Sequence, residues 1–202
     1  MLPFLVALYA AVTVLSPIAS TKVGALLGFG FPAGNWTQSI GAAILDVIND
    51  QWGPKTARAS VVAAFVVRIV IYVTVIPVLI WLPASKAPDG YDSMLTEALR
   101  VFVAGEASFF LASYVVDVPV FAWVKGKTGS RWFSLRYAVS TLVAIAFGVT
   151  TFVIIAYAGT GVDVAKTIVG GVVVRSTLLV VLTPFAVVGR RLVRVLVARE
   201  GG

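Results

Sequence analysis

The stretch Leu45-Asp46-Val47-Ile48-Asn49-Asp50-Gln51-Trp52-Gly53 decides how the rest of the chain is read. It closes a hydrophobic run long enough to cross a bilayer, yet it carries two carboxylates and an amide. A second stretch, Ser113-Tyr114-Val115-Val116-Asp117-Val118-Pro119, has the same character. A charge inside such a run costs ~2.5–3.5 kcal/mol on insertion scales, so a chain that keeps one usually has a use for it. Of the nine acidic residues, four (Asp46, Asp50, Glu106 and Asp117) fall in or beside hydrophobic runs. That distribution is expected of a polar pathway through a membrane.

The composition around these stretches agrees. With 59% hydrophobic residues, 12% charged residues and a mean hydropathy of +0.99, the chain reads as an all-α integral membrane protein. Its 202 residues hold about six spans of roughly 20 residues and no separate soluble domain. There is no phosphate-binding loop, so ATP hydrolysis would need another chain. Cysteine and histidine are both absent, which removes disulfides, thiol chemistry and imidazole ligands. No cofactor or metal is expected. The net charge of +7 is explained by basic loops facing the cytoplasm and does not require nucleic acid as a partner.

The spans are expected at 2–20, 27–49, 59–82, 98–124, 137–158 and 166–188 of a single domain, residues 1–202. The first lacks the basic n-region of a signal peptide and is read as a retained span. With the N-terminus inside, Lys55, Arg58, Lys125, Lys127, Arg131, Arg136, Arg190, Arg191, Arg194 and Arg199 are cytoplasmic, against Lys22, Lys86, Arg100 and Lys166 outside. This bias predicts both termini in the cytoplasm of a multi-pass plasma or inner-membrane protein. The Gly- and Pro-broken segment Thr21–Trp36 leaves two alternatives: a loop dipping toward a ligand from the outer side, or close helix packing through small residues.

Eleven residues make about three helical turns, so positions eleven apart share a face. Asn35 and Asp46, with Gln38 between them, stand in that relation, and so do Glu106 and Asp117. Two polar stripes through the membrane are predicted, with Arg68 and Arg175 as counter-charges. Asp46 and Asp50 could equally pair with Lys55 or Arg58 at a helix end. Trp36, Phe109, Phe110, Tyr114 and Trp132 are aromatic candidates for stacking on a planar ligand.

Asp46, Asp50, Gly53 and Ala57-Arg58 are partly similar to the metal-binding motif of the CDP-alcohol phosphotransferases. The carboxylate spacing differs, and the third span has no Asp to complete a two-metal site, so that enzyme class is excluded. The same residues match another pattern better. Ser16, Lys22, Phe31-Pro32, Asp46 through Gly53 with Ala57-Arg58, Ser108–Phe121 around Asp117, Arg131-Trp132 through Ser140-Thr141, and Arg175 in the last span are collinear with the VUT family. These are vitamin-uptake-type transporters that include queuosine-precursor transporters.

The resemblance implies a six-helix fold similar to the substrate-binding subunits of energy-coupling-factor importers. It also implies uptake of a small planar solute of the 7-deazaguanine type. Lys22, Asp46, Asp117 and Arg175 carry over as binding positions, and Asn35, Gln38 and Glu106 join them from the stripes. Asp46, Glu106 and Asp117 are the candidates for proton coupling. One departure touches the substrate: the amide, Asp and Thr usual in the fifth span are here Ile145, Gly148 and Val149. The wall around Gly148 is therefore predicted to be apolar. The expected partners are a small solute and the lipid bilayer; association with a second copy or a separate ATPase stays open.

Overall fold

The computed structural model describes residues 1–26, 29–81, 91–129 and 132–200, with side chains left aside at 26, 29, 76, 77, 79–81, 91–95, 199 and 200. Helix α1 (Leu2–Ser20) leads into an antiparallel ribbon, β1 (Val23–Leu26) with β2 (Phe29–Pro32). Then follow α2 (Asn35–Trp81), α3 (Tyr91–Phe109), a π-helical segment (Phe110–Asp117), α4 (Val118–Thr128), α5 (Phe133–Tyr157) and α6 (Val164–Glu200). Among the described residues, five helical stretches are long and apolar enough to cross a membrane. Their outward faces carry residues such as Val66, Val73, Val103, Phe147, Val180 and Phe185, all more than half exposed, as lipid-facing side chains should be.

Helix α2 is two rods. Gly53 breaks it at φ 84°, ψ 173°, a backbone region that is essentially restricted to glycine. Pro54 follows and starts the second rod, where its missing N–H costs nothing. The rods fold back on each other: Asn35 and Arg68 line one cavity, although a straight helix would hold them ~50 Å apart. The second rod then runs antiparallel to α3, since Phe65 meets Phe110 and Tyr72 stacks on Phe102 at 4.5 Å.

In the Thr21–Trp36 segment the structure shows close packing through a small residue, and in place of a loop it shows a short β-ribbon. Residues 23–26 and 29–32 form the β-ribbon, so the second span begins at Asn35 and not at residue 27. The ribbon lies against α6 through Phe31, which packs with Val174 and Leu178. At its end Gly34 gives close packing, where the Ser16 hydroxyl donates to the Gly34 carbonyl at 3.1 Å. The core below gathers Tyr9, Leu45, Ile48, Val61, Phe109, Phe121 and Tyr137. Asp163 caps α6 by accepting the Lys166 backbone N–H at 3.0 Å. Residues 83–90 of the connection expected between the third and fourth spans lie outside the described residues, as does Arg131, and the helix after it already begins at Tyr91, not at 98.

Candidate functional site

Three polar assemblies are stacked inside the apolar bundle. The one nearest the β-ribbon is a cavity whose polar lining includes Ser16, Ser20, Asn35, Gln38, Arg68 and Arg175. Pro17, Pro32, Ala112, Gly148, Val149 and Phe152 supply the rest of the wall. The cavity measures about 30 Å³, room for roughly two waters, so a bicyclic solute enters only if the walls part. The α5 wall of Gly148, Val149 and Phe152 is apolar, as expected around Gly148, while Ile145 does not line the cavity. A Cβ on Gly148 would lie 2.9 Å from Ala112 Cβ and 3.8 Å from Arg175 Nη1.

The second assembly is a buried carboxylate pair in the middle of the bundle. Asp46 accepts from Ser140 Oγ at 3.4 Å and Thr141 Oγ1 at 3.3 Å. Asp117 lies beside Ser140 and within electrostatic range of both Asp46 and Arg175. One oxygen of each carboxylate, Oδ1, is buried without a hydrogen-bond partner. Asn49 Nδ2 donates to the Val118 carbonyl at 3.1 Å, joining this level to the turn around Pro119.

The third assembly is an ion cluster on Asp50 at the far end. Its side chain is 1% exposed and faces four cations. Arg136 at 2.8 Å and Lys125 at 3.6 Å meet its Oδ1, while Arg194 at 3.4 Å and Arg190 Nε meet its Oδ2. The alternative partners Lys55 and Arg58 are not used. Arg136, counted from sequence as a loop charge, is fully buried and also donates to the Gly129 carbonyl at 2.7 Å.

The predicted site residues therefore divide. Asn35, Gln38 and Arg175 meet at the cavity, while Asp46 and Asp117 lie apart from its lining as a separate pair. Glu106 is held by Arg68, with Nε and Nη2 both 2.7 Å from Oε1. It is 8% exposed and borders an apolar groove with Phe102, Val103 and Phe110. The expected shared face of Glu106 and Asp117 does not form. The reason is the π-helical segment between them: its wider i→i+5 turns rotate Asp117 away from the phase that eleven α-helical residues would give. Lys22 is exposed beside the ribbon, where its carbonyl accepts the Ala33 N–H at 2.9 Å.

The aromatic candidates also sit elsewhere. Trp36 and Trp132 are exposed, Phe110 stacks on Tyr114 at 4.8 Å, and Phe109 lies 4.2 Å beneath the Arg68 guanidinium. Phe152 is the aromatic at the cavity. A stripe missed from sequence is Tyr9, Thr13, Ser16 and Ser20, which are all buried on one face of α1. The signal was its spacing of four, three and four, hidden inside a run that reads as uniformly apolar.

No curated protein and no solved structure matches the chain. A family model described as "Putative vitamin uptake transporter" matches residues 32–189, which takes in both rods of α2, the π-helical segment and Arg175. This is a multi-pass membrane protein, and it belongs to that vitamin uptake transporter family.

Proposed function

We propose that this chain imports a small planar solute, of the queuosine-precursor 7-deazaguanine type or a related base, across the plasma or inner membrane. The observation that carries this reading is the polar cavity, walled by α1, α2, α3, α5 and α6 at the ribbon end of the bundle. The reversal at Gly53 supports six crossings, and the Lys/Arg bias supports cytoplasmic termini. The β-ribbon, which contributes Pro32 to the cavity wall, is the part whose displacement would admit solute from outside. The Asp50 cluster would close the opposite end. Asp46 and Asp117 are the proposed proton carriers, because a proton on either unpaired oxygen turns an acceptor into a donor for its neighbour.

Purified protein in vesicles should accumulate 7-cyano-7-deazaguanine or a related base when an inward proton gradient is imposed. Asp46→Asn or Asp117→Asn should leave passive exchange but abolish accumulation. Accumulation that survives both substitutions would refute the proton assignment, and uptake equal to empty vesicles would refute import of this class. A second reading is a binding subunit that delivers solute to a separate ATPase. It is favoured by the exposure of Ala7 and Ala11 on α1, small residues that permit close docking of another helix. Co-purification with an ATPase would support it.

A further inference from the structure

We infer that the cavity takes a carboxylate-bearing solute, a small monoanion with an apolar or aromatic body. The inference rests on the import reading of a small planar solute but departs from its 7-deazaguanine example: it selects planar solutes that carry a carboxylate. Around the cavity, the buried side-chain atoms without hydrogen-bond partners are Asn35 Nδ2, Arg68 Nη1 and Arg175 Nε. All three are N–H donors, on residues 7%, 1% and 6% exposed. The buried unpartnered carboxylate and amide oxygens belong to Asp46, Asn49, Glu106 and Asp117, and none of those residues lines the cavity. Among the described residues, three of the four buried unpartnered N–H donors thus belong to residues lining the cavity, the fourth being Arg136 Nε in the Asp50 cluster, and the unpartnered carboxylate and amide oxygens are kept away from it. The complement of that surface is an acceptor-rich group.

Charge narrows it further. Arg68 is neutralised from behind by Glu106 at 2.7 Å. Arg175 makes no ion pair among the described residues. Asp117, although within electrostatic range, is not in ion-pair contact with it. The position best placed to supply a counter-ion from α5 is Gly148, whose added Cβ would sit 3.8 Å from Arg175 Nη1, and glycine brings no charge. A buried guanidinium without a partner is costly, and a planar carboxylate matches its fork of donors. Asp117 acts on Arg175 only from beyond contact distance, so the open contact on the guanidinium calls for one negative group. Pro17, Val149 and Phe152 offer an apolar body its contacts.

The test uses benzoate and its neutral isostere benzamide, titrated calorimetrically against the full chain in lipid nanodiscs with empty nanodiscs subtracted. Benzoate should bind about tenfold or more tightly than benzamide, the factor expected of one charged hydrogen bond. Arg175→Gln should fold, since it removes an unpaired charge, and should bring the two ligands within about twofold by the same reasoning. A second variant, Gly148→Asp with Ala112→Gly to make room, should supply the counter-ion from the protein and likewise abolish the preference. Equal binding of the two ligands to wild type, or a preference that survives both variants, overturns the inference. If vesicles accumulate 7-cyano-7-deazaguanine and benzoate neither binds nor competes, the import reading stands and this inference falls. If benzoate binds through Arg175 but vesicles accumulate no solute, the inference stands and the import reading falls. Binding of neither ligand class overturns both.

Discussion

Replacing Asp50 by Asn should destabilise the protein by about 3–5 kcal/mol, the range for stranding one side of a buried ion pair. The figure follows from which partners are out of water. Arg136 is 0% exposed and Arg190 12%, whereas Lys125 is 34% and Arg194 47% exposed. The two exposed partners contribute at most about 1 kcal/mol each, so the loss is set by Arg136 and Arg190. Asn keeps the shape but not the charge. Arg136 would retain its bond to the Gly129 carbonyl and its place 5.4 Å from the Phe121 ring, which holds the cost near the lower end of the range. The assay is denaturant unfolding in bicelles followed by the fluorescence of the five tryptophans. Arg194→Met should lose under about 1 kcal/mol in the same assay. The triple replacement Asp50→Leu with Arg136→Met and Arg190→Met should cost less than Asp50→Asn alone, because it removes the carboxylate together with both of its largely buried cations. An Asp50→Asn loss below about 1 kcal/mol, or equal losses for Arg136→Met and Arg194→Met, would refute the reasoning.

Gly53→Ala should cost about 1–3 kcal/mol for the glycine-only backbone at the rod junction, measured in the same assay; a neutral result would mean that the rods can join in another conformation. Gly148→Ala should lower both stability, by about 1–3 kcal/mol, and solute uptake, because the new methyl meets Ala112 Cβ at 2.9 Å; adding Ala112→Gly should restore both, and failure of that rescue would place the effect elsewhere. The chain has no cysteine, so single cysteines report topology without background. Thr160→Cys should react with an impermeant maleimide from outside intact cells, and Lys127→Cys only after permeabilisation; the reverse pattern would invert the proposed orientation.

Much of the fold was legible because hydrophobic runs of bilayer length leave few alternatives. The breaks were legible too where glycine and proline mark them, as at Gly53-Pro54. What could not be read was rotation about the helix axes. An α-helical period placed Glu106 and Asp117 on one face, but residues 110–117 take a π-helical register that shifts the phase between them. The site was legible in composition but not in grouping. Asn35, Gln38 and Arg175 are polar residues in apolar runs, as are Asp46 and Asp117, so sequence alone had no means of assigning one set to the cavity and the other to a separate pair. Arg136 was misplaced for a simpler reason: a charge near a span end is cheap in water, and its burial is explained only by Asp50, 86 positions away.

That separation has a consequence for how the protein is made. Asp50 leaves the ribosome 75 residues ahead of Lys125, 86 ahead of Arg136 and 140 ahead of Arg190. Until α6 arrives, the carboxylate must wait at the water interface, where a charge near a helix end is tolerated. The first helices can therefore insert early, but they cannot lock their bottom edge. The final helix brings Arg190 and Arg194, the last ligands of that carboxylate, so a nascent chain interrupted before Arg190 is held at a stage with half of the cluster unmade.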